Sequence, residues 1–171
     1  LPTVERDRPR LIMPFIDKAG NLFGFNARAF GNDGLRYITI MIDDTMPKIF
    51  GLDDVNFSKR YYVAEGPIDS LFLSNAVAMA GADGNANGLE QTENAVFVFD
   101  NEPRNKEIVA RMEKCLERGY KVCIWPKNVL QKDINDVIIS GVTQASLELI
   151  IDNNTFSGLE GKLQLTYWRK C

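Results

Sequence analysis

Arg60-Tyr61-Tyr62-Val63-Ala64-Glu65-Gly66-Pro67-Ile68-Asp69 reads as a short apolar strand that ends on an acid, a turn glycine and a helix start. Pro67 suits a first helical position, and Asp69 in the first turn complements the helix dipole. The same succession of strand and acid recurs twice. Residues 95–99 (Ala-Val-Phe-Val-Phe) run into Asp100-Asn101-Glu102, and the strand-like 121–125 is followed by Lys132-Asp133-Ile134-Asn135-Asp136. In an open parallel sheet the carboxyl ends of the strands share one edge, where ligands bind. The three acidic clusters are therefore expected to converge there. Crowded carboxylates repel one another unless a cation neutralises them, and hard oxygen ligands select magnesium, manganese or calcium.

Working outward, the spacing predicts strands over 60–64, 76–80, 95–99 and 121–125. Helices are predicted near 67–75 and 105–118, with a Gly/Asn-rich loop at 81–88. In the second helix Ile108, Val109, Met112, Cys115 and Leu116 repeat at helical spacing, and Gly119 follows as a stop. Near-continuous apolar strands joined by helical crossovers imply a parallel sheet covered on both faces. Further helices are expected near 136–140 and 143–152, with a tail helix over 154–170. Upstream, 11–16 and 22–30 flank Asp17-Lys18-Ala19-Gly20-Asn21, a hairpin turn, and Gly31-Asn32-Asp33-Gly34 leads into 35–41. These form a small antiparallel sheet, followed by a less regular connection over 46–58. The expected division is a small basic β-rich subdomain over 1–59, an α/β domain over 60–140 and a helical tail over 141–171.

The chain has 171 residues, 45% hydrophobic and 25% charged, with a formal net charge of −3. These are ordinary globular values, and the acidic balance argues against a wholesale nucleic-acid coat while leaving room for a local basic track. No apolar run approaches the ~18 residues of a membrane-spanning helix, and no signal-peptide pattern opens the chain. Leu1 in place of Met suggests an excised fragment. Histidine is absent, which removes Ser-His-Asp triads and His-ligated zinc. Cys115, Cys123 and Cys171 lack any Cys-x-x-Cys spacing. Two of them fall on buried faces, as expected for thiols in a reducing cytoplasm.

Each motif also has a structural reading. Glu65 alone could be a solvated strand-end acid, and Asp69 is accounted for by the helix dipole. Asp100 and Glu102, alternate residues on an extended segment, point the same way and suit a shared cation. In the third motif, capping of the next helix is assigned to Asn135 or Asp136, which leaves Asp133 as the better ligand candidate. Arg36, Lys48 and most other cations read as surface charge. Arg28, on an aromatic-rich strand, is placed to hold a phosphate bidentately.

Glu-Gly…Asp, then Asp-x-acid, then Lys-Asp-x-Asn-Asp, on consecutive strands, resembles the Toprim domain. Bacterial-type primases, topoisomerases, some nucleases and recombination-mediator proteins share that fold. The resemblance covers roughly 60–140. It implies Glu65 as the invariant acid and Asp100, Glu102 and Asp133 as metal ligands, with Glu102 standing where the common form has aspartate. Asn135 stands where an acid is often found. The upstream Ile12-Met13-Pro14-Phe15-Ile16-Asp17 and Gly24-Phe25-Asn26-Ala27-Arg28 are similar to the stretch that precedes Toprim in bacterial- and phage-type DNA primases, as is Lys48-Ile49-Phe50-Gly51-Leu52.

By that resemblance the chain is a primase catalytic core without its zinc-binding or helicase parts, and short connections suggest a phage source. The resemblance implies Mg²⁺ or Mn²⁺ as cofactor and primer synthesis from ribonucleoside triphosphates on single-stranded DNA. Phosphate would be contacted by Arg28, Arg36, Lys48 and Lys132. A replicative helicase is a candidate partner, and the location is cytoplasmic. Two alternatives share the fold: Toprim-type phosphodiester cleavage, as in nucleases and topoisomerases, and a non-catalytic DNA-binding module. No tyrosine in the chain has a context that supports a topoisomerase nucleophile.

Overall fold

The computed structural model describes residues 9–31, 35–80 and 88–171. Strands β1 (Arg10–Ile16), β2 (Leu22–Ala29) and β3 (Tyr37–Met41) form an antiparallel sheet in the order β1-β2-β3. The first turn is tied by Asp17, whose carboxylate accepts N–H groups from Ala19 and Asn21. The second expected turn falls in part on residues 32–34, outside the described residues. Gly24 permits the close approach of β1 and β3. A Cβ there would stand 2.9 Å from the Ile40 carbonyl and 3.1 Å from the Phe15 ring.

The second sheet contains β4 (Ile49–Phe50), β5 (Tyr61–Ala64), β6 (Ala76–Met79), β7 (Ala95–Val98), β8 (Lys121–Cys123) and β9 (Thr155–Phe156), in the order β4-β6-β5-β7-β8-β9. The four expected strands are its parallel centre. The two-residue strands β4 and β9 close the edges antiparallel and lie in segments expected to be a connection and a helical tail. Alternation splits the apolar runs between two cores. Tyr61, Val63, Phe97 and Val122 pack to one side with Phe15, Phe23 and Met112; Tyr62, Ala64, Val96, Val98 and Cys123 pack to the other with Ile134, Leu147 and Ile151. Phe15 and Phe23 thus seat the small sheet in the core of the large one.

Helices cover both faces. α1 (Pro67–Ser70) is shorter than the expected 67–75. Beyond it the Ser74 N–H bonds Glu148 and the Asn75 side chain bonds the Asn56 and Arg60 carbonyls, so local polar contacts replace helical ones. α2 (Lys106–Glu117) matches expectation, with Asn105 accepting the Glu107 N–H as cap and Gly119 at φ +80° beyond its end. α4 (Gln144–Asn153) is capped by Thr143, and α5 (Gly158–Trp168) buries Gly161 and Leu165.

α3 (Ile134–Ile139) corrects the expectation for the third motif. It begins before Asn135, and its cap is Asp133, whose extended backbone (φ −141°, ψ 174°) lets the carboxylate accept the Asp136 N–H at 2.8 Å. The buried Ile134 pulls the helix start forward, which places Asn135 and Asp136 inside the first turn. Among the described residues no helix is long and apolar enough to cross a membrane.

Candidate active site

Glu65 directly follows β5, Asp100 lies two residues beyond β7, and Asp133 caps α3, so all three stand at the carboxyl edge of the large sheet. Across from them one face of the small sheet presents Asn26, Arg28, Tyr37 and Thr39. A groove of about 630 Å³ runs between the two walls. Of the residues singled out in the sequence, Arg28, Arg36, Glu65, Asp69, Asp100, Lys132, Asp133, Asn135 and Asp136 line it. Glu102 and Lys48 do not. Glu102 borders a separate depression with Pro103, Arg104, Asn105 and Lys170.

The acidic wall is interlocked. Glu65 Oε2 accepts the Asp100 backbone N–H at 2.8 Å, and Oε1 is paired with Arg111 of α2. Asp69 Oδ1 accepts the Asn135 N–H at 3.1 Å, tying the first motif to the third. Lys132 Nζ lies 3.5 Å from Glu102 and 3.9 Å from Asp100. Burial pushes the Asp100 carboxyl up to about 7, with repulsion from Glu65 and Asp69 adding to it and Lys132 opposing it. Asp69 is raised to about 6, again mainly by burial, while the Asn135 N–H lowers it. Folding has therefore gathered carboxylates where their charged forms are costly, as at many functional sites.

On the basic wall, the Arg28 and Arg36 guanidinia lie 5.6 and 5.9 Å from the centre of the Tyr37 ring. Tyr37 pairs with Arg28 across β2 and β3. Asn26 donates to Thr39 Oγ1 at 3.0 Å, and Thr39 donates to the Ala80 carbonyl at 3.4 Å, joining this wall to the end of β6. Stacking on one ring holds two cations close together, and Arg28 also attracts the Asp69 carboxylate across the groove.

Arg111 was missed by the sequence reading. It stands three residues after Ile108 and four before Cys115, on the otherwise apolar stripe of α2. A charge in that position was the available signal. Tyr61 and Tyr62 are buried and donate to the Glu90 carbonyl and to Asp152. Burial pushes Tyr61 up to about 12 and raises Tyr62 as well, so neither is suited to nucleophilic attack.

No protein-family model matches the chain. It is 35% identical over 169 residues, 97% of its length, to the DNA primase of Enterobacteria phage T4. Its structure is similar to that of the DnaG primase catalytic domain bound to single-stranded DNA, with TM-score 0.66 and 20% identity over 95% of this chain and 63% of that one. The fold is that of a DNA primase catalytic core. The same core is seen in the primase fragment of the bacteriophage T7 primase-helicase protein, with TM-score 0.58 and 19% identity over 81% of this chain and 60% of that one. The chain spans 49% of the length of the T4 primase.

The oxygen donors of this primase-type groove suit a hard divalent cation in their chemistry. Among the described residues no three acids stand close enough to form a ready-made cage.

Proposed function

We propose that the groove is a primer-synthesis site, which joins ribonucleotides on a single-stranded DNA template in a metal-dependent reaction. The observation that carries this reading is the pair of opposed walls: strand-end carboxylates on one side, two guanidinia on the other, in a chain of which 97% is similar in sequence to the T4 primase and 95% in structure to a primase catalytic domain. Glu65, Asp100 and Asp133, the carboxylates at the strand ends that line the groove, would hold Mg²⁺ or Mn²⁺. The bound ion supplies Lewis-acid activation of an attacking hydroxyl and neutralises phosphate charge.

The chain's own residues supply orientation. Arg28 and Arg36 hold phosphate on the basic wall, where planar guanidinia match its geometry. Lys132, 52% exposed, shields Asp100 and Glu102 until substrate phosphate arrives to take that charge. Lys48, outside the groove, is assigned to the nucleic-acid backbone, where contact tracks charge rather than sequence. The proposed partners are the template strand, ribonucleoside triphosphates and a replicative helicase, the last favoured by the likeness to a primase-helicase fragment. The free buried thiols of Cys115 and Cys123 suit a reducing cytoplasm, that of the host if the gene belongs to a phage.

Template-dependent incorporation of labelled ribonucleotides, run with Mg²⁺, with Mn²⁺ and with a chelator, tests the reading. Primer-length products that require both template and metal are expected. Cleavage of the template in place of synthesis would assign the groove to phosphodiester hydrolysis.

A further inference from the structure

Both oxygens of the Glu65 carboxylate are engaged. Oε2 holds the Asp100 backbone N–H at 2.8 Å, and Oε1 is paired with Arg111. Arg111 belongs to α2, a helix anchored by the buried Ile108, Met112 and Cys115, and not to the sheet edge. Its guanidinium also lies 5.6 Å from the centre of the Phe99 ring, the residue just before Asp100. The guanidinium is thus fixed from below by the helix and from the side by the ring, and its side chain is 25% exposed against 52% for Lys132.

We infer that Arg111 is a positioning residue of the site, acting through Glu65. It holds that carboxylate against the end of β7, so that Glu65 and Asp100 keep a fixed mutual geometry. The inference rests on the primer-synthesis reading of the groove. Its physical basis is repulsion and entropy. Asp69 and Asp100 crowd Glu65, and a glutamate has rotamers that carry it away from them. A lysine supplies a point charge, whereas a guanidinium pairs and stacks at once and so fixes direction as well as charge. The carboxylate retains lone pairs for a further ligand, because each oxygen accepts more than one bond.

Arg111 also lines the groove, so direct contact with nucleotide phosphate is the competing role. Two readouts on the protein separate them. The first is Mn²⁺ affinity, taken from the Mn²⁺ dependence of the melting temperature. Removing a cation from an acidic groove should tighten Mn²⁺ binding by charge alone. Loss of positioning instead weakens it, and Arg111→Ala is expected to do so by about 10- to 100-fold, the scale for losing a partner that orients a ligand. The second is steady-state incorporation on template. There kcat falls by a similar factor while nucleotide KM stays within about twofold.

Arg111→Lys restores part of both losses. In a Glu65→Gln background, Arg111→Ala produces no further loss of Mn²⁺ affinity, because the residue it acts through is already changed. If Arg111→Ala unfolds, Arg111→Met, which keeps an apolar stem on Phe99, supplies the same comparison. Unchanged or tighter Mn²⁺ binding, or losses that add in the double variant, overturn the proposal. So does a rise of about tenfold in KM at constant kcat, which would place Arg111 on the phosphates. A wild type that binds Mn²⁺ but makes no primer removes the primer-synthesis reading and leaves the Mn²⁺ comparison to decide on Arg111. A wild type without a Mn²⁺ response overturns both.

Discussion

Asp133 Oδ1 accepts the backbone N–H of Asp136 at 2.8 Å, so a carboxylate in the groove wall is also the cap of α3. The two roles separate by substitution. Asn caps helices about as well as Asp, so Asp133→Asn should leave thermal unfolding near wild type while lowering primer synthesis. Asp133→Ala should also cost about 1 kcal/mol of stability. Denaturant melts and incorporation assays on both variants check this. Equal activity in wild type and Asp133→Asn would make Asp133 a cap and nothing more.

Mg²⁺ or Mn²⁺ should raise the melting temperature, since an ion that binds the folded state preferentially stabilises it by mass action. Asp100→Asn should remove most of that rise, because burial, and then repulsion from Glu65 and Asp69, make the charge of Asp100 the one that most needs a cation. Differential scanning fluorimetry over a metal titration measures the effect. An undiminished rise in the Asn variant would move the ion away from β7.

In metal-free buffer, stability should depend on pH through the same group. Burial pushes Asp100 up to about 7 in the fold against an ordinary aspartate value of 3.8, so between these values the folded state holds a proton that the unfolded chain has released. The associated stability is fully present below the unfolded value and is lost as pH rises through about 7. Asp69, raised to about 6, acts in the same sense over a narrower window. Melting temperature in chelator should therefore fall between about pH 4 and 7, and fall less in Asp100→Asn, with Glu65, Asp69, Asp133 and Lys132 unchanged as the surrounding charges. Parallel pH profiles for the two proteins would contradict the assignment.

Arg28→Ala should act on phosphate more than on the fold. Its stacking on Tyr37 is worth about 1 kcal/mol or less. Loss of one phosphate contact should weaken single-stranded DNA or nucleotide binding and reduce the salt slope by about 0.7. Fluorescence anisotropy across a salt series is the measurement. A large stability loss with unchanged binding would make Arg28 structural.

What the sequence by itself determined are the features whose signal is local. The unbroken apolar runs of 61–64 and 95–98, buried throughout, the apolar repeat of α2 and the turn around Asp17 each carry their signal within a few residues. From these follow the parallel centre, the antiparallel hairpins and the meeting of Glu65, Asp100 and Asp133 at one edge. Tertiary structure alone decided the rest. β4 and β9 have two residues each, too few to show a period, and exist because the outer strands of the parallel sheet offer unpaired N–H and C=O groups. Glu102 stands outside the groove because the chain turns after Asp100: the Glu102 N–H bonds the Asp100 carbonyl at 2.8 Å, which ends the extended geometry, and Lys132 is what links the two carboxylates. Arg111 meets Glu65 across 46 positions, through the path of α2 back over the sheet. No pattern within either segment encodes that contact, because it depends on where a crossover helix lands.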